Sequence, residues 1–195
     1  GQFGDVWLRL TPQERGAGFT FESLIVGGVV PRNFWAAVEK GVNSILQEGL
    51  LIKHTIVDIK VSLYDGSYHP VDSNDISFQL AGRVAMKNIY PNAKPTILEP
   101  ILNLEITIPE EYTGDIISDM SSRRGRPMGM ERSGNLQVVK ALLPMAEALS
   151  YAPSLTSVTR GQGSFTAEFS HYEDVPAHIQ EQLINEYKKH KEEDD

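Results

Sequence analysis

The stretch Val57-Asp58-Ile59-Lys60-Val61-Ser62-Leu63-Tyr64-Asp65-Gly66-Ser67-Tyr68-His69-Pro70-Val71-Asp72-Ser73 decides how the first half of the chain folds. Val57, Ile59, Val61 and Leu63 alternate with Asp58, Lys60, Ser62 and Tyr64, the period of a strand with one buried face. Asp65 and Gly66 then supply turn chemistry. Ser67 to Asp72 place a hydroxyl, a phenol, an imidazole and a carboxylate on a short segment stiffened by Pro70, and Asp72 or Ser73 is expected to cap a following helix. Such a segment presents His69 at the end of a rigid element, which suits a recognition tip better than a catalytic pocket.

Around this stretch the first half reads strand, strand, helix, strand, helix. Val6, Leu8 and Leu10 alternate with polar or exposed partners, as do Phe19 and Phe21, so two antiparallel strands joined through Gly16 and Gly18 are expected. Pro31 suits a helix start; Phe34, Val38, Val42, Ile45 and Leu46 form an apolar stripe, and Gly49 a stop. In the next helix Ile76, Leu80, Ala81, Val84 and Ala85 share a face, ended by Pro91.

Residues 92–95 read as a hinge. Beyond it Leu102, Leu104, Ile106 and Ile108 alternate as a strand, and a helix opens near Pro109 with Glu110 and Glu111 at its positive end. Arg123 and Arg124 complement its negative end and Gly125 closes it. Strands at 128–131 and 136–143, a helical stretch within 145–158 and a strand through Phe165, Ala167 and Phe169 complete a β-α-β-β-α-β order, the ferredoxin-like arrangement. Ile179, Leu183 and Tyr187 mark a last amphipathic helix, and residues 188–195 a frayed tail.

The 195 residues can hold two small domains, and 41% hydrophobic content fits a globular protein. No apolar run approaches the roughly 20 residues that span a bilayer, and no signal pattern opens the chain, so a cytoplasmic monomer without membrane contact is expected. There is no cysteine, which removes disulfides, thiol nucleophiles and cysteine zinc sites. The net charge of −8 is uneven: from Glu173 onward eight acidic residues face three lysines, so −5 of it lies in that tail. Within the body Arg123, Arg124, Arg126 and Arg132 fall within ten positions, either a basic patch for phosphates or a solvated helix end.

No G-x-x-x-x-G-K-[ST] occurs, and Gly161-Gln162-Gly163 and Gly16-Ala17-Gly18 stop short of a dinucleotide fingerprint. His54, His69, His171, His178 and His190 lack metal-ligand spacing. Neither a catalytic residue, a cofactor nor a metal is therefore expected within this stretch of chain.

The 57–73 segment resembles the fourth domain of bacterial elongation factor G. The likeness extends through Gly27-Gly28-Val29-Val30-Pro31, Leu98-Glu99-Pro100-Ile101, Pro109-Glu110-Glu111-Tyr112-Thr113-Gly114-Asp115 and Phe165-Thr166-Ala167-Glu168-Phe169. It covers about residues 1–176 and implies an α+β chain of two small domains. Residues 1–91, joined by the helix at 177–190, would be a left-handed β-α-β type domain IV; residues 96–176 would be a ferredoxin-like domain V. The family moves transfer and messenger RNA through the ribosome, with GTP and magnesium bound by an N-terminal domain that this stretch lacks.

The resemblance further implies that His69 approaches the paired transfer and messenger RNA in the decoding region, in a loop shaped by Ser67, Tyr68, Pro70, Val71 and Asp72. Gly1-Gln2-Phe3-Gly4 matches a neighbouring family loop, which makes Gln2 a second tip residue, and Arg123 and Arg124 become candidates for ribosomal RNA. Asp5 stands where the family often has histidine, and Pro70 where it often has aspartate. A divergent paralogue acting in ribosome recycling and a stand-alone RNA-binding module are the alternatives. A small-molecule kinase of related β-α-β architecture would need a glycine- and serine-rich phosphate loop, which is absent.

Overall fold

A computed structural model describes residues 1–195. The chain forms two compact units, residues 1–95 with 181–195, and residues 96–180. No helix is long and apolar enough to cross a membrane.

In the first unit β1 (Asp5–Pro12), β2 (Phe19–Ser23) and β3 (Ile59–Ser67) form a sheet in the order β1-β3-β2, backed by α1 (Trp35–Glu48) and α2 (Asp75–Ile89). The expected β1–β2 pairing does not form: β3 lies between them, antiparallel to β1 and parallel to β2. The cause is visible at its start. Asp58 Oδ1 accepts the N–H groups of Gly16 and Gly18 at 3.0 Å each, and Gln13 N donates to the Asp58 carbonyl at 2.8 Å. The β1–β2 loop is thus bound to the foot of β3, whose Ile59, Val61, Ser62 and Leu63 are all buried. This strand, apolar on its inner face, takes the central place, where both edges are hydrogen-bonded.

The α1 stripe is as the spacing predicts, with Val38, Val42, Ile45 and Leu46 buried. The α2 face is not. Ile76, Leu80 and Val84 are exposed, and the buried row is Ser77, Phe78, Gly82 and Met86. A glycine contributes nothing to an apolar pattern, yet here glycine sets the rotation. A β-carbon on Gly41 of α1 would collide with the Gln79 backbone of α2, so the two helices cross at contact distance and α2 must turn its small residues inward. Phe78 then stacks on Phe34 with ring centroids 4.7 Å apart. Asn74, not Asp72 or Ser73, caps α2: its side chain accepts Ser77 N while Ser77 Oγ accepts Asn74 N.

The second unit has β4 (Leu98–Pro109), α3 (Thr113–Ser122), β5 (Arg126–Ser133), β6 (Leu136–Pro144), a short α4 (Met145–Ala148), α5 (Tyr151–Val158) and β7 (Ser164–Asp174). The sheet order β5-β6-β4-β7, antiparallel throughout, is the ferredoxin-like β-α-β-β-α-β fold. Leu104, Ile106 and Ile108 of β4 meet Ile116, Met120, Val139, Tyr151 and Leu155 in its core. The last helix, α6 (Ala177–Asp194), continues through the stretch read as a frayed tail.

Two outcomes follow from this packing. Gly41→Ala is expected to cost about 1–3 kcal/mol by forcing α1 and α2 apart. Gly114→Ala, at a helical site with open space around it, is expected to be neutral or stabilising by up to about 1 kcal/mol. Urea unfolding of both variants checks the contrast. Tyr151 is fully buried and its hydroxyl lacks a hydrogen-bond partner; burial, reinforced by Asp119, pushes the phenol up from 10.0 to about 12. The folded form therefore holds this proton more tightly than the unfolded chain, so stability is complete below the unfolded value near 10 and declines as pH rises towards about 12. Tyr151→Phe should flatten that decline in unfolding midpoints measured from pH 9 to about 12; an unchanged slope would refute the assignment.

Candidate nucleic-acid interface

The β1–β3 ladder ends at the pair Asp5 and Ser67, and the segments that leave it are the two predicted tip loops. Asp65 and Gly66 are not a turn: β3 runs through them. At Gly66 the neighbouring strand comes so close that a β-carbon would strike the Asp5 carbonyl and lie 2.7 Å from a Val30 methyl, which leaves room for no side chain. The strands thus stay together up to the loop base.

Past that base the loop is held by its own polar groups. Ser73 Oγ accepts His69 N at 2.9 Å and donates to the Phe3 carbonyl at 2.8 Å, while Phe3 N donates to the Asp72 carbonyl at 2.9 Å. Ser73 N closes the turn onto the His69 carbonyl at 3.0 Å. The N-terminal Gly1–Asp5 segment and the 67–73 loop are therefore one hydrogen-bonded structure.

His69 keeps 54% of its side chain exposed. Its Nδ1 accepts the Val71 and Asp72 N–H groups at 3.3 Å each, and the Asp72 carboxylate lies 3.3 Å from the same atom. These contacts serve different protonation states. The neutral ring uses Nδ1 as acceptor and carries its proton on Nε2; a protonated ring donates from Nδ1 to Asp72. In the neutral form the atom offered to a partner is the Nε2 donor. Gln2, Tyr68, Pro70 and Val71 are exposed beside it. Ser67 and Asp72 are braces: the Ser67 hydroxyl donates to Asp5 at 3.0 Å, and Asp72 supports both His69 and Phe3. Asp5 thereby acquires a local role of its own. The sequence reading missed Ser73 and Phe3 as loop fasteners, because a serine before a helix reads first as a cap.

The arginine group differs from its expected form. Helix α3 ends with Arg124 in the left-handed region at φ 59°, Gly125 N donating to Met120 O at 2.8 Å and Arg124 N to Ser121 O at 3.3 Å. A non-glycine residue there costs about 1 kcal/mol. Arg124 is held by a bidentate pair with Glu99 at 2.7 and 3.0 Å, with Glu147 at 3.6 Å. The hydrogen bond to Glu99 raises the guanidinium pKa further. Arg123 Nε pairs with Asp119 at 3.0 Å, its Nη1 donates to Ser150, and it lies over the Tyr151 ring. Arg126 pairs with Glu173 at 2.8 Å. The carboxyl of Glu173 is desolvated, but hydrogen bonds from Arg126 and His171 outweigh that and hold it below its usual value. Arg123 and Arg124 are thus not a free basic patch; their charges are spent within the unit. Arg132 is the open member, 70% exposed with one 3.9 Å pair to Glu110. No group of three or more histidine, aspartate or glutamate side chains converges to hold a metal.

Known families match both units. The family described as "Elongation factor G, domain IV" matches residues 1–94, and "Elongation factor G C-terminus" matches residues 96–183. A crystal structure from Thermus thermophilus is 43% identical and superposes with a TM-score of 0.83 over 97% of this chain. The chain spans 28% of that protein's length. Together these matches place the chain in the elongation factor G family, of which it carries the domain IV and C-terminal regions.

Proposed function

We propose that this chain is the ribosome-contacting portion of a translocation factor, with the tip of the first unit meeting the paired transfer and messenger RNA in the decoding region. The observation that carries the reading is the braced loop that leaves His69 half exposed, with Gln2 and Tyr68 also exposed, while His69 N, His69 Nδ1 and Ser73 Oγ are engaged within the loop and its base. A donor held in place before binding loses little entropy on contact. The work is mechanical: the tip occupies the space left by transfer RNA, and GTP hydrolysis with magnesium belongs to another domain of the parent protein. The parent acts as a cytoplasmic monomer with the ribosome as its partner. The internal pairing of Arg123 and Arg124 shifts the weight of RNA contact to the tip, since binding phosphate through them requires exchanging Glu99 and Asp119.

The tip is tested with two substitutions that mimic opposite ends of the imidazole. Asparagine at position 69 keeps an acceptor near Nδ1 and loses the outward donor; glutamine places a donor near Nε2. In the full-length parent, His69→Asn is expected to slow single-round translocation about 2- to 10-fold, the worth of one hydrogen bond, with GTP hydrolysis unchanged, whereas His69→Gln retains most of the rate. Equal rates for all three proteins would refute the tip reading.

For the arginines, Arg124→Ala strands Glu99, which is only 12% exposed, and is expected to cost about 1–3 kcal/mol of stability while leaving the salt dependence of ribosome binding unchanged. A drop of about 1 in the logarithmic salt slope would return Arg124 to phosphate binding.

A further inference from the structure

The outer face of the first unit's sheet carries a group of side chains that neither the core nor the tip uses. Val6, Leu8 and Leu10 point into the core, so Trp7 and Arg9 lie on the opposite face. Across the ladder Trp7 pairs with Asp65 but Leu8 pairs with Leu63, so Tyr64 is the extra residue of a β-bulge. A bulge re-aims its side chain, and here it brings Tyr64 beside Trp7 and Arg9. The Trp7 and Tyr64 rings meet edge to face at 6.4 Å and 73°, and the Arg9 guanidinium lies 5.0 Å from the Tyr64 centroid. Trp7 is 55% exposed.

The acidic groups of this face all have hydrogen-bond partners, but only Glu22 has a cationic one; Asp5 and Asp65 keep their charge. Glu22 takes Lys60 and the Ser62 hydroxyl, Asp5 takes the Ser67 hydroxyl, and Asp65 accepts Gly66 N. Arg9 forms no ion pair. The face therefore offers an open indole surface with an arginine beside it that no carboxylate holds. That combination suits an unpaired base, whose π-face stacks on an aromatic ring while the adjoining phosphate meets an arginine. The ladder also ties the site to the tip: Trp7 is two residues from Asp5, about 7 Å along β1 from the loop base.

We propose that Trp7, supported by Tyr64 and Arg9, is a stacking site for an unpaired RNA base flanking the tip contact. The proposal rests on the RNA-contacting reading of the first unit and extends it from a loop to a sheet face. It implies a specific energetic signature. Stacking supplies most of the affinity, so binding depends weakly on salt, with a logarithmic slope between about −0.7 and −1.4 for one or two phosphates.

The test uses the 195-residue chain and a labelled single-stranded RNA of about ten nucleotides followed by fluorescence anisotropy. Trp7→Ala is expected to weaken binding about 5- to 150-fold and Trp7→Phe by no more than about 3-fold, with unfolding midpoints near that of the parent chain. The indole N–H resonance of Trp7, one of two tryptophans, should move on adding RNA while that of Trp35 stays. Unchanged affinity for Trp7→Ala with an unmoved Trp7 resonance overturns the proposal, as does a slope steeper than about −3, which signals phosphate binding alone. Self-association abolished by Trp7→Ala, without an effect on RNA, would make the face a protein contact and overturn it too. The tip reading is separable: slowed translocation in His69→Asn with normal RNA binding in Trp7→Ala keeps the tip and removes the stacking site. The reverse pattern keeps the stacking site and removes the tip.

Discussion

Strand β3 is hydrogen-bonded along both edges, and the first unit is arranged around that constraint. Asp58 binds the β1–β2 loop at its foot, so β1 and β2 must flank it. Val61 and Leu63 then set the inner face on which α1 packs, and the α1–α2 crossing at Gly41 orients α2. The start of α2 in turn defines where the 67–73 loop must end. Backbone pairing thus transmits position from the protein interior to a loop that has no core of its own.

The parts legible in sequence were those written in apolar spacing. The α1 stripe and the alternation of β4 appear in the structure much as their periods dictate, and the strand–helix order of the second unit follows from them. What spacing does not encode is closeness. The inward row of α2 is built on Gly82 and Ser77, which carry little hydropathy, so Ile76, Leu80 and Val84 attracted the wrong assignment. The β1–β2 pairing failed for a related reason: the Asp58 clamp is a polar, long-range contact, invisible to a local pattern.

The candidate site divides along the same line. A histidine in a short proline-containing loop can be found by reading, and so can its neighbours. The braces cannot, because Ser73 to Phe3 and Ser67 to Asp5 join residues more than sixty positions apart. The arginine cluster shows the opposite failure. Residues close in sequence look like a charge patch, but Asp119 one helical turn back pairs with Arg123, Glu99 and Glu173 arrive from distant strands to pair with Arg124 and Arg126, and only Arg132 stays open. Net charge along a segment and field at a surface are different quantities.

The bulge at Tyr64 also fixes the parity of the strand. On its core side Leu63 faces inward; an ordinary strand would then send Asp65 inward and Gly66 outward. The extra residue reverses that order, which puts Gly66, with no side chain, against Val30 and leaves Asp65 in water. Every position after Tyr64 inherits the reversal. The direction in which the loop leaves the sheet is therefore a count of residues, and an evolving chain can alter its substitutions there far more freely than its length.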